Sequence, residues 1–394
     1  MVSFRTPCLL ALFLLVVACS RPVLHAQSAS KVTLGIERTN EYLPLLKGKK
    51  VGLVVNHTSI FPDQTHLADS LLNLGVQIKT IFGPEHGFRG KADAGEHVSS
   101  GVDQKTGLPV VSLYGSNKKP TPEQIKDLDI LLFDIQDVGA RFYTYTSTMH
   151  YIMEAAAEQG KTVLILDRPN PNGHVVDGPV LDRKFASFVG LNPVPISHGC
   201  TVVELAEMIN QEGWLKNGAK CKLVTVLCQN YTHQTPYTLP VAPSPNLPNQ
   251  QSILLYPSIC LFEGTEISLG RGTDTQFQVI GGPSPKYGTY EFTPVDKPGA
   301  MNPPNEGVRC YGLDLRKIDA WKEGFTLKYV LDFYAKAPDK SKFINRPKAF
   351  DQLAGTDQLR KQMEAGLSES DIRKSWEPAL SQYKTLRKKY LRYP

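Results

Sequence analysis

Absences narrow this chain before any motif does. Its 394 residues contain no G-x-G-x-x-G, no G-x-x-x-x-G-K-[ST], no G-x-S-x-G and no H-E-x-x-H. Without a glycine-rich turn there is no backbone cradle for a pyrophosphate, so NAD and ATP chemistry are excluded and no cofactor is expected. Without the strained elbow, the serine nucleophile of an α/β hydrolase is not presented. Cysteine is scarce, seven in all, with no C-x-x-C and no zinc-ligand spacing. Charge of one sign is also limited. The net value is +6, and the basic run "KTLRKKYLRYP" lacks an aromatic-basic module, so it reads as a solvated helix face rather than a nucleic-acid surface.

Long apolar runs are missing except at the N-terminus, where Arg5 precedes "CLLALFLLVVAC". That run is too short and wrongly flanked for a membrane span and reads as a secretory signal within residues 1–19. Its end, Val16-Val17-Ala18-Cys19, resembles a lipobox, which would make Cys19 the acylated first residue of a periplasmic or outer-membrane lipoprotein; cleavage after Ala26 is the competing reading. The expectation is export, with membrane contact only through that anchor. In an oxidising compartment, a Cys221–Cys228 bridge across a hairpin is open to the chain.

What is present is a regular alternation. A hydrophobic share of 41% with 21% charged residues suits a folded chain with a large core. "KKVGLVVN", "VQIKTIF", "LPVVSLYG", "LDILLFDIQ", "KTVLILDRPNP" and "KCKLVTVLC" read as strands. Between them, "THLADSLLNLG", "STMHYIMEAAAEQG" and "CTVVELAEMINQEGW" carry helical spacing, with capping boxes at Thr121/Gln124 and Thr201/Glu204. Strands apolar on both faces, alternating with amphipathic helices, predict a Rossmann-like, doubly wound parallel α/β domain over 32–230. The Pro-rich "TPYTLPVAPSPNLPNQ" reads as an inter-domain crossing. A second, C-terminal α+β domain over 231–394 would complete a cleft.

Ligands of open parallel sheets bind beyond the carboxyl ends of the strands. Several strands here end in polar loops, among them "TIFGPEHGFRG" and "LFDIQDVGARFYTY". Carboxylates abound there: Glu85, Asp93, Glu96, Asp134 and Asp137, with Glu263 and Asp274 in "FEGTEISLGRGTDTQF". Phe142, Tyr143 and Tyr145 accompany them. Paired carboxylates beside aromatic platforms and Arg donors are the groups glycoside hydrolysis needs. Each also has a plainer reading. Asp134 would serve as a turn cap, Asp93 as a turn residue, Arg141 as an ordinary ion-pair partner, and Glu263 with Arg271 as a packing pin. A metal site drawn from Glu85, His86, Glu96 and His97 lacks any supporting scaffold motif, and no metal is expected.

The same segments, "FGPEHGFRG", "AGE", "TGLPVVSLYG", "LLFDIQDVGARFYTY", "ILDRPNP", "FEGTEISLGRGTDTQF" and "AGTDQLR", occur in this order and together resemble a bacterial family once catalogued as a domain of unknown function and later assigned as exo-acting β-N-acetylmuramidases. The likeness runs from about residue 32 to the terminus. It implies release of terminal, non-reducing MurNAc from peptidoglycan-derived MurNAc-GlcNAc saccharides in a cleft between two domains. By motif position it makes Glu85 the leading catalytic carboxylate, as general acid. Glu96, Asp137 and Glu263 are candidates for its partner, and the substrate's acetamido group is another. For the lactyl carboxylate of MurNAc the candidate forks are Arg89, Arg141 and Arg271. His86, Asp134, Tyr143, Tyr145 and Asp274 complete the expected sugar contacts. The alternative is a non-catalytic glycan-binding lipoprotein using the same cleft.

Overall fold

Side chains alternating along the central strands create two separate apolar faces, and helices cover both. The computed structural model describes residues 1–3, 31–89 and 100–394. Among these, one sheet contains β1 (Lys50–Val55), β2 (Gln77–Gly83), β3 (Gly101–Val102), β4 (Pro109–Ser112), β5 (Ile130–Asp134), β6 (Thr162–Leu166) and β7 (Lys222–Val226). Val51, Leu53 and Val55 join Leu132 and Leu164 on one face, against helix Leu67–Asn73. Val54, Leu131, Phe133, Val163 and Ile165 join the other, against helices Tyr145–Glu158 and Val202–Gln211. This is the period-two consequence of a strand buried on both sides.

The spatial order is β3-β4-β2-β1-β5-β6-β7. All neighbours pair in parallel except the short edge strand β3, which is antiparallel to β4. Setting β3 aside, the six parallel strands follow the order third-second-first-fourth-fifth-sixth, the Rossmann arrangement. Its switch point lies between β1 and β5. The expected capping boxes at Thr121/Gln124 and Thr201/Glu204 both form.

The bridge left open between Cys221 and Cys228 does not form. The two residues stand just outside opposite ends of β7, and at about 3.3 Å per extended residue they are roughly 20 Å apart, far beyond disulfide reach. All five described cysteines are free and buried. Cys19 lies outside the described residues, and among those described no helix is long and apolar enough to cross a membrane.

The C-terminal part adds a small antiparallel sheet of β8 (Val279–Gly282), β9 (Tyr290–Phe292) and β10 (Cys310–Asp314), in the order β8-β10-β9, with helices around it. Helix Glu369–Arg387 opens at Ser368, whose hydroxyl accepts from the Asp371 amide. It then returns the chain end to the first sheet. Tyr383 Oη donates to the His198 carbonyl at 2.7 Å. Tyr393 Oη accepts from the Cys228 amide at 2.8 Å and donates to Asp167 at 2.5 Å. One apolar cluster runs from Val54 through Phe262 and Phe333 to Tyr390, so Val32–Pro394 forms a single compact unit with both sheets sharing a core.

Candidate active site

Beyond the carboxyl ends of β2, β4 and β5 lies an inner chamber of about 330 Å³, which adjoins a more open, outer chamber of about 470 Å³. Glu85, Tyr114, Glu263 and Arg271 border both. The loop leaving β2 brings in Glu85 and His86. His86 is buried and holds φ at 68°, followed by Gly87 at 77°, so two successive left-handed residues turn the chain sharply at the strand end. Glycine adopts this conformation freely; a histidine held there must be over-determined by its surroundings. Thr144 Oγ1 donates to Glu85 Oε2 at 2.6 Å. Thr144 is the N-cap residue of helix Tyr145–Glu158, yet its hydroxyl makes no capping bond and is spent on Glu85 instead. A carboxylate thus meets the amide-rich start of a helix, where negative charge is favoured.

The wall opposite comes from the C-terminal part. Helix Gln250–Ile259 runs into the tight turn Cys260–Gly264, which carries Glu263. A side chain at Gly264 would meet the Phe350 backbone at 2.8 Å, so only glycine admits the approach of helix Pro347–Ala354. Arg271 Nη2 pairs with Glu263 Oε1 at 2.5 Å, and its guanidinium lies 4.9 Å from the Phe277 ring centre. Burial opposes the charge on Arg271, but Glu263 outweighs it and holds the guanidinium proton more tightly than usual. Phe277 is itself left-handed, at φ 54°, a second strained residue on the cavity wall.

Aromatic rings form the floor. Tyr143 and Tyr145 meet edge to face at 4.8 Å, and Phe142 and Tyr143 each pack against Tyr256. Beneath them runs the Pro-rich segment, which does more than cross between lobes. Pro243 O accepts from Tyr143 Oη at 2.9 Å and from Tyr145 Oη at 3.2 Å, Ala242 O is bonded by His57 Nε2 at 2.8 Å, and Pro245 O accepts from Gln276 Nε2 at 3.1 Å. Each proline removes one amide donor that burial would otherwise have to satisfy, and side chains of the sheet's rim and of the C-terminal part donate to the carbonyls. Burial drives the Tyr143 and Tyr145 hydroxyls well above their ordinary pKa and lowers that of His57.

The geometry therefore gathers Glu85, His86, Tyr143, Tyr145, Glu263 and Arg271 on one cavity, and it corrects the convergence expected for the rest. Asp134 is wholly buried in a two-pronged pair with Arg168, at 2.5 and 2.8 Å, under the switch point. Asp137 is buried behind the tyrosine floor, accepting from the Gly139 amide at 2.7 Å with His198 Nε2 at 3.7 Å. Arg141 gives its guanidinium to the carbonyls of Pro179, Val194 and Leu353, at 2.7 to 2.9 Å, and pins the lobes together. Burial with no carboxylate beside it lowers its pKa. Arg89 grips Asp103 with two bonds, and Asp274 is exposed beside Lys297. None of these five lines either chamber. Glu96, Asp93 and His97 lie outside the described residues. Among the described residues, no group of three or more His, Cys, Asp or Glu is placed to hold a metal ion. Sequence reasoning passed over Thr144, Lys118, Ser244 and Asn246, whose types are too common in loops to stand out.

A Rossmann-type sheet whose rim joins two carboxylates, an arginine and an aromatic floor belongs to the class of glycoside hydrolases. Residues 51–251 match the model for the N-terminal part of exo-β-N-acetylmuramidase NamZ, and residues 254–393 match the model for its C-terminal part. The chain belongs to this family. It is 42% identical over 387 residues to peptidoglycan β-N-acetylmuramidase NamZ of Bacillus subtilis (strain 168), covering 92% of each chain. Two crystal structures of DUF1343 family proteins from Bacteroides fragilis NCTC 9343 share the fold. One has TM-score 0.85 at 47% identity and the other 0.79 at 28%; each alignment covers 92% of this chain and 99% of the other.

Proposed function

We propose that this protein is an exo-acting β-N-acetylmuramidase that hydrolyses terminal, non-reducing MurNAc from peptidoglycan fragments, its saccharide substrates being of the MurNAc-GlcNAc type. The observation that carries the reading is the meeting of Glu85 with the Glu263–Arg271 pair across one aromatic-floored cavity. Glycoside cleavage needs a proton on the leaving oxygen and negative charge or a nucleophile near the anomeric carbon. Glu85 takes the first role. Glu263, ion-paired with Arg271, takes the second as a carboxylate, directly or by orienting the substrate's acetamido group. Tyr143 offers a ring edge to a pyranose, with Tyr145 and Phe277 buried behind it as its support.

Purified protein incubated with aryl β-MurNAc and, separately, aryl β-GlcNAc tests the reading: aryl release from the first alone is expected. Glu85→Gln should lower kcat by about 10²- to 10⁴-fold, the span of a lost general acid, with an unchanged circular dichroism spectrum. Wild-type turnover in that variant removes Glu85 from the mechanism, and saccharide binding without turnover in the parent protein makes this a binding module. Export to the periplasm, with a lipid anchor at Cys19, completes the proposal. The apolar run before Cys19 supports it, and the mass of the mature N-terminus decides it.

A further inference from the structure

The cations expected to receive a carboxylate are occupied: Arg89 by Asp103, Arg141 by three carbonyls, and Arg271 by Glu263. One cation on the inner chamber is not. Lys118 lines it together with Glu85, and among the described residues its ammonium has no acidic partner and no hydrogen bond. Its one charge contact is with the face of Phe188, 4.9 Å from the ring centre. That platform is braced in turn, since Phe188 stacks on Tyr151 at 6.3 Å and meets Tyr114 at 6.0 Å.

The loop that bears Lys118 is anchored on both sides. Lys119 reaches back to helix Tyr145–Glu158, pairing with Glu154 at 2.7 Å and Glu158 at 2.8 Å. Asn117 donates to the Ser112 carbonyl at the end of β4, at 2.9 Å. Of two adjacent lysines, one fixes the loop and the other is presented to the cavity half-buried, over an aromatic face and without a counter-ion. A half-buried ammonium in that state gains most from a ligand that brings a carboxylate.

We propose that Lys118 reads the 3-O-lactyl carboxylate of muramic acid and thereby sets selectivity for MurNAc over GlcNAc. This rests on the hydrolase reading for its substrate, but the contact itself is a matter of binding. Arg346 is the comparator: it also has no acidic partner among the described residues, but it is exposed and lines only the outer chamber.

Calorimetric titration with free MurNAc and with its neutral lactyl amide tests the proposal independently of turnover. The parent protein should bind the acid roughly ten- to a hundredfold more tightly than the amide, the worth of one charge-assisted contact. Lys118→Met should erase that ratio while leaving amide affinity unchanged, and Lys118→Arg should restore most of it. With aryl β-MurNAc the same loss should fall on KM rather than kcat. A Lys118→Met protein that keeps the preference overturns the proposal. So does equal loss for both ligands, or abolition of the preference by Arg346→Met instead. If Lys118→Met erases the binding ratio while the parent protein hydrolyses neither aryl glycoside, the hydrolase reading fails and the Lys118 contact stands.

Discussion

Glu85 is held by a hydroxyl that could have capped a helix and does not. Thr144 stands at the N-cap, donates to Glu85 instead, and so fixes the carboxyl at the mouth of the inner chamber. Removing that donor while keeping the shape should cost Glu85 its orientation. Thr144→Val is expected to lower kcat roughly tenfold or more and to move the pH-rate profile, with KM little changed, while Thr144→Ser restores the parent values. A valine variant with the parent kcat and profile would show that the hydroxyl is only structural. Glu85 itself was legible in the sequence: a charged pair between Gly83-Pro84 and Gly87, at a strand end, has no packing reason to be there. Arg141 and Asp134 were not legible. The acceptors of Arg141 come from residues 179, 194 and 353, and the partner of Asp134 is Arg168, so local pattern could not show that both were already occupied.

Among the elements, the Pro-rich segment departs furthest from its reading as a simple crossing. Strands and helices were legible because a period of two and a period of 3.6 leave different apolar patterns. A segment without regular structure leaves no such pattern, and its place is set by whatever donates to its carbonyls. Tyr143 and Tyr145 share a single acceptor, Pro243 O. Either hydroxyl alone still satisfies that buried carbonyl, so Tyr143→Phe and Tyr145→Phe should each destabilise the fold by less than about 1 kcal/mol. The double variant leaves the carbonyl unpaired, at a cost of about 1–3 kcal/mol. Denaturant titration of the full cycle should therefore give a double loss larger than the sum of the singles. Simple additivity would mean that the two hydroxyls are not exchangeable donors to the segment.

For the whole molecule, the chain end and the buried titrating groups fix how stability responds to pH. Burial lowers the pKa of His57, His66, His150 and His174, so the native state keeps these imidazoles neutral while the unfolded chain binds protons below about 6.5. Their contribution is present above that value and is lost as pH falls through the lowered native values. Asp167 acts with the opposite sign. Burial pushes its carboxyl up to about 7 although Tyr393, Thr201 and the Val203 amide all donate to it. Between its ordinary value of 3.8 and 7 the native state holds the extra proton, so this term is full at low pH and is lost as pH rises through 7. Four imidazoles oppose one carboxyl, and the parent protein should lose stability from pH 7.5 to 5.5. Asp167→Asn removes the opposing term. Its stability at pH 7.5 reflects the altered contacts with Tyr393 and Thr201, but its further loss on acidification to pH 5.5 should be steeper than the parent's. Denaturant midpoints at the two pH values measure this directly, and an equal or shallower loss in the variant would show that Asp167 is already ionised across this range.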